Sequence, residues 1–289
     1  MTVQAADVLG ETVAARPPRP RRRARAARRN WGVGVYSVVI LLVLLVPIVY
    51  TIVFSFNIPA RTNVSWRGFS LDNWISLFDD PRVVAAFGSS IGVGLLATVV
   101  AAALGTAIAI ALVRFRFRFR TALTVLLFLP MATPEVVLGS GLGSQFLNLG
   151  VDKGFATTVV AHIMFCISFV VITVRARVSS LDPAIEEAGR DLYASPGQVW
   201  WRITFPLLLP GIVAAALLSF ALSFDDFIIT AFVSGNFETF PKYIYTAAVR
   251  AIPAQANVFA SIIFLLAILL VLISQLTAAS RRRRLAREG

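Results

Sequence analysis

Long apolar blocks alternate with short polar links along this chain. Six blocks stand out, from about Tyr36 to Phe56, Phe87 to Val113, Thr121 to Leu142, Thr157 to Val174, Leu207 to Val233 and Asn257 to Leu276. A helix needs roughly 20 apolar residues to cross a ~30 Å hydrocarbon core, and each block meets or approaches that length. Apolar residues run continuously within the blocks rather than alternating, which argues against a membrane β-barrel. Helices satisfy their own backbone groups in lipid. The pattern therefore predicts an all-α membrane protein with six transmembrane helices.

Composition agrees. Of 289 residues, 57% are hydrophobic and 15% are charged, with a mean hydropathy of +0.79. A soluble domain carries about 25% charged residues. The net charge of +12 raises the question of nucleic acid, but the basic residues sit between the apolar blocks. Of the Lys and Arg residues, 21 fall in the two ends and the links after the second and fourth blocks, and 6 in the other links. The positive-inside rule then places both termini in the cytoplasm. The Arg114-to-Arg120 run, in which Arg alternates with Phe, reads as an interfacial loop with lipid headgroups as its partner, not nucleic acid. Residues 1–34 form a basic tail with no apolar periodicity, expected to be disordered. Residues 35–277 form the membrane domain, and 278–289 a second basic tail. The first block is longer than a signal-peptide core, and no small-residue cleavage site follows it. One cysteine, Cys166, allows no intrachain disulfide.

The most informative polar stretch is 182–206, with Pro210 just beyond it. Asp182-Pro183 is a helix N-cap followed by Pro at the first position. Glu186 and Glu187 follow where the helix dipole favours acids. Ser195-Pro196-Gly197-Gln198 is a capping box, a second helix start. Two short helices joined by a tight turn near Tyr193-Ala194 follow from these signals. Trp200 and Trp201 beside them suggest a docking surface.

This stretch resembles the EAA loop of importer-type ABC transporter permeases: Glu-Ala-Ala, three residues, Gly, nine residues, Ile, one residue, Leu-Pro. Glu187-Ala188-Gly189 stands for Glu-Ala-Ala, Tyr193 for Gly, Ile203 for Ile, and Phe205-Pro206 for Leu-Pro. The departures are Gly189, Tyr193 and Phe205; Gly at the Tyr193 place would allow a left-handed turn at no steric cost. Pro134 to Gly139 resembles the Pro-Glu-Ile-Val-Leu-Gly stretch of polyamine permeases, and Ser219 to Phe227 their Ser-Phe-x-Leu-Ser-x-Asp-Asp motif. The similarity covers nearly the whole chain after the tail and points to the PotC-type subunit of spermidine/putrescine importers.

The resemblance implies the fold of ABC type I importer permeases in a bacterial cytoplasmic membrane. It implies a second homologous permease, an ATPase dimer that binds ATP and magnesium, and an extracytoplasmic substrate-binding protein. Glu186, Glu187, Ala188, Gly189, Asp191, Ser195, Ile203 and Pro206 would form the coupling to the ATPase. The chain has no Gly-x4-Gly-Lys-Ser/Thr phosphate loop, so ATP hydrolysis is expected from another subunit; no cofactor, metal or enzyme chemistry is expected in this chain. Relatives that move ferric ion, opines or aminophosphonates share the scaffold, so these remain alternative cargoes. A stand-alone secondary transporter would leave the EAA-like loop without a use.

Four ionisable residues lie inside the apolar blocks: Glu135, His162, Asp225 and Asp226. Such a residue costs at least ~2.5–3.5 kcal/mol at the membrane centre and marks function by default. At ~1.5 Å rise per residue all four fall in the outer half, an acidic vestibule suited to a polycation. Helical spacing puts Asp226 on one face with Ser219, Ser223 and Thr230, a polar stripe expected to line the substrate path. Asp225 falls on an apolar face and needs a partner from another helix; alternatively both aspartates cap the helix end. Glu135 follows Pro130 and Pro134, and broken helices often line transport sites. For His162 an interhelical hydrogen bond is the simpler reading.

Overall fold

The computed structural model describes residues 31–58, 65–248, 255–269 and 272–273. The calls on tails 1–30 and 278–289, and on the end of the last block at Leu276, lie outside them. Among the described residues there is no strand, only an isolated antiparallel bridge between Asn57 and Phe69. In chain order the helices are α1 (Trp31–Ser55), α2 (Asp72–Ile75), α3 (Pro81–Arg114), α4 (Arg120–Ala132), α5 (Glu135–Asn148) and α6 (Phe155–Ser179). Then come α7 (Pro183–Asp191), α8 (Pro196–Val199), α9 (Phe205–Asp225), α10 (Ile228–Val233), α11 (Phe240–Ala248) and α12 (Gln255–Leu269).

Residues up to Tyr50 and from Thr51 onward are two separate compact units. In the first, α1 begins at Trp31, inside the expected tail, and every side chain through Tyr50 except Ile48 is exposed.

Among the described residues four helical stretches are long and apolar enough to cross a membrane: Trp31–Phe54, Pro81–Arg114, Phe155–Ser179 and Pro196–Asp225. The third block is not one straight helix. α4 and α5 meet at 107°. Pro134 supplies no N–H and pushes Thr133 into an extended conformation (ψ 132°), which ends α4 there. The fifth block also differs from expectation. α8 runs through a π-turn at Trp200–Thr204 into α9, so the helix begins earlier than Leu207 and stops at Asp225. Asp226 is extended, and a separate six-residue helix, α10, follows.

The core forms where α3, α6 and α9 pack. Small residues let the backbones approach: a Cβ on Gly105 would lie 2.6 Å from Val170 Cγ1, and one on Gly94 would lie 3.0 Å from the Phe220 ring. Ala101, Ala109, Leu112, Val170, Val174 and Leu208 fill the space between. A second, aromatic core gathers Phe87, Phe224, Phe240 and Phe259, with the Phe87 and Phe259 rings 4.7 Å apart.

Candidate functional site

Two places carry the candidate residues. The first is the polar segment between α6 and α9. Asp182 Oδ1 accepts from the Ala184 N–H at 3.0 Å, which starts α7. Ser195 Oγ accepts from Gln198 N–H, while Gln198 Oε1 accepts from Ser195 N–H at 2.8 Å, which starts α8. The two helices are joined at Tyr193, which takes a left-handed φ of 59° despite its side chain. That conformation is costly for a non-glycine residue, but the Tyr193 side chain is 98% exposed and meets no neighbour that would bar it.

The two glutamates divide. Glu186 turns inward, pairing with Arg114 at the end of α3 at 2.9 Å and accepting from Thr204 Oγ1 at 3.1 Å. Glu187, Ala188, Asp191, Ser195 and Pro206 are exposed. Gly189 is buried, and a Cβ there would lie 2.6 Å from Ile203 Cδ1. The departure from Ala to Gly therefore accommodates Ile203, the residue at the Ile place of the motif. A cavity of about 370 Å³ opens beside α7, lined among others by Arg114, Leu181, Glu186, Trp200 and Leu208. Leu192 and Trp201 add exposed apolar surface to the segment.

The second place is the break between α9 and α10. Every contact Asp226 makes brings it a donor: the N–H groups of Ile229 at 3.2 Å and Thr230 at 2.8 Å, and Thr230 Oγ1 at 2.9 Å. It thereby caps α10, whose first N–H groups have no helical partner. His162 of α6 reaches the same group, with Nε2 3.3 Å from Asp226 Oδ2 and 3.0 Å from Thr230 Oγ1. Its Nδ1 lies 2.7 Å from Ser223 Oγ. Because Thr230 Oγ1 donates to Asp226, it accepts from His162 Nε2–H. In the neutral imidazole Nδ1 is then the acceptor, and Ser223 donates to it.

Ser219, Ser223, Asp226, Thr230 and His162 are all buried. Ser223, Asp226 and Thr230 of the expected stripe turn toward His162 of α6, with Thr230 on the separate helix α10, and Ser219 is buried with them. His162 makes the interhelical hydrogen bonds expected of it. Asp225, by contrast, is exposed, and among the described residues nothing hydrogen-bonds or ion-pairs with its carboxylate. The partner from another helix belongs to Asp226. Glu135 is likewise exposed, in the first turn of α5. A Cβ on Gly139 would lie 3.1 Å from Ile229 Cα, and one on Gly143 2.8 Å from Phe232 O. Both contacts advance in the same chain direction, so α5 and α10 run parallel, and Glu135 and Asp225 lie at the same end of that pair. Phe227, the last residue of the Ser219-to-Phe227 stretch, stacks on Tyr245 with ring centroids 4.2 Å apart, a contact that no local sequence signal ties together.

Residues 101–285 match the family described as the binding-protein-dependent transport system inner membrane component. The chain belongs to this family. The permease is 34% identical over 242 residues to the spermidine/putrescine transport system permease protein PotC of Haemophilus influenzae, covering 83% of this chain and 94% of that one. Against PotC of Escherichia coli the figures are 33% over 251 residues, with 86% and 95% covered. Against the putrescine permease PotI of Escherichia coli they are 32% over 240 residues, with 79% and 85% covered. A bacterial ABC transporter that imports alginate has the same fold, with a TM-score of 0.62 at 17% identity over 90% of this chain and 99% of that one. The methionine transporter MetNI gives 0.55 at 14%, over 68% and 94%. The permease is thus an all-helical inner-membrane transport subunit with the ABC importer permease fold, and not an enzyme.

Proposed function

We propose that this permease is one transmembrane half of an ATP-driven importer that moves spermidine and putrescine inward. Similarity to PotC proteins over 94–95% of their length is the observation that carries this reading. The exposed carboxylates Glu135 and Asp225, at one end of the α5–α10 pair, favour a cargo with two or more ammonium groups. A substrate that is anionic would be repelled by the same pair. The buried set Ser219, Ser223, Asp226 and Thr230 shapes the adjoining wall.

The chain crosses the membrane six times with both ends in the cytoplasm. The bent α4–α5 pair serves as one crossing, and α12 begins the last. The segment from Glu186 to Pro206 is the coupling surface for an ATPase dimer, which binds ATP and magnesium. A second, homologous permease completes the path, and an extracytoplasmic binding protein delivers the cargo. No cofactor or metal is assigned to this chain itself.

The test is uptake of labelled spermidine and putrescine in cells lacking this gene and every other polyamine uptake system. Expression of the gene with its partner subunits should restore uptake that depends on ATP. Failure to restore it in cells where the complex assembles would reject polyamines as cargo.

A further inference from the structure

We propose that His162 is a positioning residue for the cargo path, holding the break between α9 and α10 so that Asp225 faces out while Asp226 stays inside. The inference rests on the reading of Asp225 as a cargo contact.

A break in an apolar helix leaves backbone groups without helical partners, which is tolerated only where protein or a water-filled cavity meets them. Asp226 caps the start of α10 locally. Capping alone does not set the angle between α9 and α10, because the cap and the capped N–H groups lie on the same side of the break. His162 supplies the bridge across it. Its Nδ1 lies 2.7 Å from Ser223 Oγ, before the break, and its Nε2 lies 3.0 Å from Thr230 Oγ1 and 3.3 Å from Asp226 Oδ2, beyond it. The imidazole is rigid, so the two ends are held at a fixed separation. At the far end of α10, Thr157 Oγ1 of the same helix α6 donates to Val233 O at 2.7 Å. The short helix is therefore fastened to α6 at both ends. Asp225 ends α9 and Asp226 is the single extended residue of the break; the first is exposed while the second is buried. Holding Asp226 on His162 therefore keeps the break in the form in which Asp225 is exposed. His162 is 2% exposed and does not itself meet cargo.

The bend can be read directly by thiol labelling. Cys166 is the sole cysteine and is buried, so Cys166→Ala gives a clean background. In it, Asp225→Cys is labelled in the assembled complex with a membrane-impermeant maleimide, with His162 intact or changed to Leu, Gln or Asn. Spermidine uptake is measured in parallel with Asp225 present. His162→Leu should change the labelling rate severalfold and raise KM about tenfold, the scale of one lost buried hydrogen bond, with a smaller change in kcat. Gln can keep the donor toward Thr230 and Asp226, and should recover most of both readouts. Asn, which reaches only as far as Nδ1, should recover less. Unchanged labelling and KM in His162→Leu would overturn the proposal, as would Gln behaving no better than Leu or Asn. Labelling needs no cargo, so it reads the bend even if no variant, nor the unaltered protein, carries polyamines.

Discussion

Asp225 and Asp226 are neighbours in the chain with opposite surroundings, and the difference sets what each can do. Asp226 is acceptor to three donors of its own segment and lies against His162. Asp226→Asn keeps one oxygen for capping but turns an NH2 group toward groups that are themselves donating. The expected result is a loss of ~1–3 kcal/mol, the cost of leaving a buried polar group unsatisfied, seen as lower thermal stability of the purified complex. Asp225→Asn should leave that stability unchanged and raise KM for spermidine, because its exposed carboxylate has no structural partner to lose. A steady-state uptake series with a melting curve for each variant separates the two effects; a stability loss in Asp225→Asn would refute the division. Helical spacing put Ser219, Ser223 and Asp226 on one face, and all three are buried. It could not show that this face meets α6, because the contact to His162 is 61 residues away from Ser223 in the chain.

Elements whose signals are local were legible in the sequence, and those set by packing were not. Asp182 and Ser195 mark helix starts by side chains that bond within three residues, and α7 and α8 begin where those caps stand. The bend in the third block was announced by Pro130 and Pro134, but not its 107° angle, nor the close approach of Gly139 and Gly143 to α10 that follows it. The end of the fifth block at Asp225 had no Pro or Gly to announce it; the break is held by a cap and a histidine from elsewhere. The coupling segment carries a prediction at this scale. Glu187 is exposed and should be free to meet a partner, whereas Glu186 is held by Arg114 at 2.9 Å. Glu187→Arg should abolish co-purification of the ATPase while the melting temperature of the permease is unchanged. Glu186→Arg places two cations together and should lower that temperature first. Retention of the ATPase by Glu187→Arg would move the coupling surface elsewhere.

For the whole molecule the question is which way it sits in the membrane, and charge carries the proposed orientation. Among the described residues the four long apolar stretches and the bent pair give up to five crossings, and the proposed sixth begins at the shorter α12. An even number returns the chain to its starting side. The 21 Lys and Arg residues assigned to that side outnumber the 6 on the other, and the bias acts within roughly 15–20 residues of each helix end. The Arg-rich ends and the Arg114–Arg120 link carry most of it. In the proposed topology the segment with Glu186 and Glu187 falls on this same side, where ATP is available to a partner. Epitope tags placed at either end should therefore resist protease in intact spheroplasts and be cut in inverted vesicles, while a tag inserted beside Lys153 should show the reverse. Removal of the Arg residues before Trp31 should weaken this pattern more than removal of those after Leu276, because the first helix usually dominates orientation. If both end tags were cut in spheroplasts, the coupling segment would face away from ATP, and the importer assignment would fail along with the topology.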